Sequence, residues 1–258
     1  MAFDGIVTKA IVTELQELVG SKIDKVHEPD KNTIVLGLYS QGKNYALNIC
    51  IDAHNCRLNL TTHTKINPLV APNFCMLLRK HLIGGKISNI SMQGLERIVN
   101  IEIETINEFN EIENKTLILE LMGKHSNIIL KNQNDIIIDA MRHIASNNSY
   151  REILPSRVYT LLQSNKYEFT KLTGQEEFCE KLTIDSAESD CAKKLSNTFT
   201  GISLSFAKSA VEQRLLSEIY NYINEIINSK KLKFELEGSD YVLKLSDQNK
   251  ERFELNFF

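Results

Sequence analysis

Asn67-Pro68-Leu69-Val70-Ala71-Pro72-Asn73-Phe74-Cys75-Met76-Leu77-Leu78-Arg79-Lys80-His81-Leu82-Ile83-Gly84-Gly85, with Gln93-Gly94-Leu95-Glu96-Arg97-Ile98-Val99 after it, decides how this chain is read. Pro72 suits the first turn of a helix, where its missing N–H removes a donor that has no partner anyway. Phe74, Leu77, Leu78, His81 and Leu82 recur at helical spacing, so the stretch predicts an amphipathic helix over 72–83 with one face turned inward. Arg79, Lys80 and Lys86 fall on or beside the polar side, and Gly84-Gly85 stops the helix. The chain then returns through a glycine into a strand headed by the acidic–Arg pair Glu96-Arg97.

Outward from that block the pattern alternates. Residues 4–19 predict a helix capped by Asp4 and ended by Gly20. Short strands follow at Ile23–His27, Thr33–Tyr39, Tyr45–Ile51 and Arg57–Thr61, separated by turn residues, as in an antiparallel meander. Beyond the 72–83 helix, strands recur at Lys86–Ser91, Ile98–Thr105, Thr116–Leu121, Asn127–Lys131 and Ile136–Met141, with polar loops at Asn107–Asn114 and Asn132–Asp135. Many short strands with two helices imply a sandwich or barrel-like sheet flanked by helices, an α+β fold. The texture turns helical from about Gly174. Ala192–Val211 reads as helix, glycine-containing turn and helix, and Gln213–Ser229 as further helix. Leu232–Phe258 reads as two or three strands around a Gly238-Ser239-Asp240 turn. The Gly201 turn fits a hairpin whose amides hold a phosphate, or a small packing hairpin. Ser203 stands where the phosphate-binding pattern has its second glycine, which favours packing.

A chain of 258 residues can bury one large core or two smaller ones. Net charge is −3, yet it is unevenly spread. Residues 1–100 carry 11 Lys+Arg against 8 Asp+Glu, and the remainder 19 against 25, so a mildly basic first part sits inside an acidic protein. Five cysteines (Cys50, Cys56, Cys75, Cys179, Cys191) form no C-x-x-C pair and fit a reducing compartment. With no charged-then-apolar leader and no long apolar run, the expected location is cytoplasmic, with no membrane partner. The apolar last strand suggests that the natural chain continues.

No enzymatic constellation emerges. The six histidines are scattered, so no metal site is expected; there is no P-loop, no nucleophile elbow and no cofactor fingerprint. Binding remains. Arg97 offers a planar fork of five donors suited to a base edge or phosphate, and Glu96 can accept from base amines or orient that fork. By itself such a pair is an ordinary surface ion pair worth ~0–1 kcal/mol. Asp4 has an ordinary role as an N-cap worth ~1 kcal/mol. Arg79, Lys80, Lys124, His125 and Arg151 are candidate contacts to a nucleic-acid backbone.

The helix block, Met1-Ala2-Phe3-Asp4-Gly5, Met122-Gly123-Lys124-His125-Ser126-Asn127 and Arg151-Glu152-Ile153-Leu154-Pro155-Ser156-Arg157 together resemble the N-terminal part of the NFACT family of its bacterial RqcH type, once labelled fibronectin-binding protein A. The resemblance runs through nearly the whole chain in order, with two departures: Glu96 stands where the family usually has Asp, and Ser156 where it usually has Gly. It implies residues 1–172 as the NFACT N-terminal domain, 173–230 as a helix–hairpin–helix domain and 231–258 as C-terminal strands. The layout is similar to that of formamidopyrimidine-type DNA glycosylases. Ala2 lacks their proline amine and the acidic neighbour is missing, so the chemistry does not follow. The resemblance implies a cytoplasmic, non-enzymatic RNA-binding factor of ribosome quality control. Its partners would be tRNA, alanyl-tRNA first, and a large ribosomal subunit carrying stalled peptidyl-tRNA, with Asp4, Glu96 and Arg97 selecting the tRNA. The alternatives are an adhesin for fibronectin or fibrinogen and a non-catalytic DNA-binding module.

Overall fold

The computed structural model describes residues 3–63, 65–145, 151–162, 164–184, 190–212, 214–229, 232–237 and 240–245. The Met1-Ala2 start, the Gly238-Ser239 turn and any strand beyond residue 245 lie outside them. The described residues form two compact units, one within 3–13, 92–97 and 164–245, the other within 14–91 and 98–162. Chain order therefore does not follow unit order: two short segments from the first hundred residues belong with the helical last third.

The sheet unit contains β1 (Lys22–Asp30), β2 (Thr33–Ser40), β3 (Lys43–Cys50), β4 (Arg57–Leu60), β5 (Lys86–Met92), β6 (Ile98–Ile106), β7 (Ile112–Glu120), β8 (Asn127–Asn132) and β9 (Ile137–Ala140). They form one nine-stranded sheet, in the order β4-β3-β2-β1-β5-β6-β7-β8-β9. Every described strand pairing within this sheet is antiparallel. Alternation in β2 and β6 buries Ile34, Leu36 and Leu38, and Ile101 and Ile103, on one face, as half-covered strands require. The later strands are covered on both faces. Ile98, Ile118, Ile129, Ile137 and Ile153 form a second cluster there, closed by Ile144 and Tyr159.

Between β4 and β5 lies α2 (Asn73–Leu82), packed on β1, β6 and β9. β1 and β9 are five places apart in the sheet. Flat strands at ~4.8 Å spacing would set them roughly 24 Å apart, beyond the reach of a helix about 10 Å wide. The sheet is therefore curled around the helix. Arg142 ties the curl: its guanidinium donates to Asn32 Oδ1 (2.8 Å), Ile51 O (2.9 Å) and Ser126 O (3.0 Å), joining the β1–β2 turn and the end of β3 to the start of β8. Pro72 proves to be the N-cap of α2, not its first turn, because its ψ of 158° is extended while its carbonyl accepts from Met76 N. Gly85 packs so tightly that a Cβ there would lie 2.8 Å from Ile103.

The other unit holds α1 (Gly5–Glu14), whose last residue passes into the sheet unit, and α3 (Gln175–Ile184), α4 (Cys191–Thr198), α5 (Leu204–Val211) and α6 (Leu216–Asn228). It also holds the hairpin β10 (Leu232–Glu237) and β11 (Asp240–Leu245), which packs on α5. The helix expected over 4–19 is shorter: α1 tightens into a 3-10 turn at Leu15–Leu18 before Gly20 takes a φ of +91°. Phe169, Phe178 and Phe199 build the core, with Phe178 stacked on Phe199 at 5.3 Å and edge-on to Phe169 at 5.8 Å. No helix among the described residues is long and apolar enough to cross a membrane.

Candidate nucleic-acid interface

Asp4 is only 5% exposed. Its Oδ1 accepts from Val7 N (2.9 Å), capping α1, and its Oδ2 accepts from the Ser203 hydroxyl and from Ser203 N (3.4 Å). Ser203 Oγ in turn accepts from Phe206 N (3.2 Å), so it caps α5. One carboxylate thus joins the starts of two helices, where the helix dipoles favour negative charge. Burial pushes its pKa up, against the lowering effect of the Ser203 and Val7 hydrogen bonds and of the Arg97 charge. The anion seat at the start of α5, beside the Gly201 turn, is occupied by the protein's own carboxylate.

The segment 93–97 is held in the same unit by close backbone packing. Gly5 N donates to Gly201 O (2.8 Å), and the Leu95 carbonyl lies where side chains at both glycines would be: a Cβ on either would sit 2.1 Å from Leu95 O. Gly94 has a φ of +54°, and a Cβ there would fall 2.1 Å from Glu168 Oε2. That carboxylate accepts from Leu95 N (3.1 Å) and, through the same Oε1, from Thr170 Oγ1 (3.1 Å) and Thr170 N (3.3 Å). Gly5, Gly94, Gly201 and Glu168 therefore fix the backbone from which Glu96 and Arg97 project. Both side chains are half-buried. The pKa of Glu96 is raised, first by burial and then by the Glu168 charge, with Arg97 opposing. Arg97 itself makes no hydrogen bond or ion pair among the described residues; its charge acts on Glu96.

The three residues expected to select tRNA thus lie in one unit, and the Arg97 charge acts on both carboxylates. Asp4 supports that group from inside, since its carboxylate is covered. Glu168 escaped sequence reading: nothing distinguishes it from a solvated acid until the fold brings it to Leu95, 73 residues away. The Glu168-x-Thr170 capping pattern was the only local signal.

The candidate backbone contacts all belong to the sheet unit. Lys80 on α2, and Lys124 and His125 in the turn Gly123–His125, are exposed. Arg79 is half-buried, with its Nε donating to Val26 O (2.9 Å). Arg151 is corrected by the fold. It is buried, its guanidinium forks onto Glu120 (2.8 and 2.6 Å), and it also donates to Thr160 O (2.9 Å). Tyr159 completes the group by donating to Glu120 Oε1 (2.8 Å). A guanidinium so enclosed holds the fold together and is not presented to a ligand.

Against known proteins, the chain is 35% identical to the Rqc2 homolog RqcH of Bacillus subtilis over 83% of this chain and 38% of that protein. It is 32% identical to the Rqc2 homolog RqcH of Streptococcus pneumoniae serotype 2 over 89% of this chain and 42% of the relative. The chain spans about 40% of the length of these curated relatives. Its fold resembles the crystal structure of the fibrinogen binding protein from Staphylococcus aureus, with a TM-score of 0.83 and 28% identity across 97% of this chain and 93% of that one. The family description "NFACT N-terminal and middle domains" matches residues 4–252, which include every residue of the Asp4–Glu96–Arg97 group; the chain belongs to that family.

Proposed function

We propose that this chain is the tRNA-selecting part of a ribosome-associated quality-control factor. It binds tRNA, alanyl-tRNA first among the candidates, together with a large ribosomal subunit carrying stalled peptidyl-tRNA, and so directs template-free alanine addition to the nascent chain. The observation that carries this reading is the unbonded Arg97 fork beside half-buried Glu96, with Asp4 gathered into the same unit. The names of the curated relatives support it. Arg97 would pair with a base edge or phosphate, and Glu96 would accept from a base amine or hold the fork. Asp4 would act from beneath, keeping α1 and the helix–hairpin–helix formed by α4, the Gly201 turn and α5 in register with the pair. Lys80, Lys124 and His125 would meet backbone phosphates. Peptide transfer belongs to the ribosome, so the chain is a cytoplasmic binding factor rather than an enzyme.

Filter binding of the full-length protein to alanyl-tRNA and to a mismatched tRNA, at two salt concentrations, tests the reading. Arg97→Ala should cost about 1–3 kcal/mol and relax discrimination. Lys80→Ala should lower affinity evenly and reduce the salt slope by roughly one counterion. Glu96→Asp should leave binding intact or improve it, and Glu96→Ala should impair selection. Equal, non-selective losses for Arg97→Ala and Lys80→Ala would overturn the reading. The likeness to the Staphylococcus aureus fibrinogen binding protein supports a second one, fibrinogen binding. Retention on immobilised fibrinogen that survives Arg97→Ala, with no tRNA bound, would favour it.

A further inference from the structure

The tip of the β6–β7 hairpin has a composition that neither the fold nor the tRNA site uses. Ile106 and Ile112 face each other across the last rung and are 71% and 73% exposed; Phe109, at the apex, is 83% exposed. The turn holding them is wired internally. Asn107 Oδ1 accepts from Phe109 N (2.9 Å) and Glu111 N (3.0 Å), Asn107 N donates to Glu111 O (2.9 Å), and Asn110 takes a φ of +64°. Phe109 is thus held outward by a preformed turn, and little ordering remains to be done on binding. Single exposed apolar residues are ordinary, but three together on one rigid tip mark an interaction site. The charge around them narrows the partner. Residues 104–115 carry four carboxylates, Glu104, Glu108, Glu111 and Glu113, against one cation. That cation, Lys115, is buried and already paired with Glu113 Oε2 (2.7 Å). Phosphate backbones and anionic membranes would be repelled.

We propose that this hairpin is a protein-docking finger whose apolar tip enters a pocket rimmed by basic residues on a protein of the large ribosomal subunit. Apolar anchors would supply the affinity and the carboxylates the steering and orientation. The placement of the partner on the ribosome rests on the function proposed above; the class of partner rests on the hairpin alone. The test uses the full-length protein and purified large subunits carrying peptidyl-tRNA. With a benzophenone amino acid at position 109, irradiation should join the finger to a basic ribosomal protein. Changing Ile106, Phe109 and Ile112 to Ser together should weaken co-sedimentation about tenfold while leaving tRNA binding unchanged. All three are solvent-exposed, so the variant should keep its melting temperature. Co-sedimentation without a crosslink, or crosslinking only to rRNA or to a second copy of this chain, would overturn the finger and leave the proposed function standing. Failure of the unmodified protein to co-sediment would overturn both.

Discussion

Arg151 and Arg97 each stand beside a glutamate, and the two pairs behave oppositely. In the sheet unit the Arg151 fork meets both oxygens of Glu120, with Tyr159 and the Thr160 carbonyl closing the shell. Burial alone would ease the proton off Arg151, but the Glu120 bonds outweigh it and hold the charge more firmly; burial and Glu120 push the Tyr159 hydroxyl far up. In the helical unit Glu96 and Arg97 are chain neighbours, which cannot easily turn toward one another from a strand entry, and the fork has no described partner. Chemically alike pairs thus divide by geometry: residues 31 apart in sequence lock together, while adjacent ones leave their hydrogen-bonding capacity open.

The largest test of that contrast is stability. Arg151→Ala strands a buried carboxylate and should cost about 3–5 kcal/mol in denaturant unfolding. Arg97→Ala should leave the unfolding midpoint nearly unchanged while tRNA binding falls. Similar losses of stability for both variants would erase the distinction.

A sharper test concerns the field around Glu96. Its pKa is raised in the folded protein, so in the window above the ordinary carboxylate value the folded state holds more protons than the unfolded chain. Its contribution to stability is therefore present at acid pH and lost as pH rises through the raised value. Glu168→Gln keeps an oxygen acceptor for Leu95 N but removes the second cause of the shift. Unfolding titrations between about pH 4 and 7 should show a smaller loss in the variant than in the parent. Parallel profiles would mean that Glu168 holds the backbone without acting on Glu96.

The smallest effect lies at Ser156, a non-glycine residue with a left-handed φ of +65°. Ser156→Gly relieves that strain but makes the unfolded chain more flexible, leaving a net gain of roughly 0.5–1 kcal/mol in thermal unfolding. A loss of stability would show that the Ser side chain contributes more than its backbone costs.

Local pattern made several of these elements legible. Alternation located the strands from Ile23 to Met141, helical spacing located α2, and Gly20 and Gly84 ended helices where expected, each with positive φ. The errors were local too: Pro72 caps α2 instead of opening it, and the loop expected over 107–114 shortens because Ile112 pairs with Ile106. Asp4 was readable as a cap, but not as a link between α1 and Ser203, 199 residues away. Gly201 was readable as a turn, but not as one of two glycines admitting the Leu95 carbonyl.

Which residues are extended, which are helical and where turns fall is legible in local sequence, because period-two and period-3.6 burial and glycine's access to positive φ are properties of neighbours along the chain. That Arg151 is spent on Glu120, that Glu168 sets the backbone beside Glu96 and that Arg97 has no bonded partner among the described residues all depend on contacts between distant parts of the chain. A charged side chain has the same residue type whether it is solvated, buried or poised, and its state is fixed by groups that folding brings beside it from distant positions.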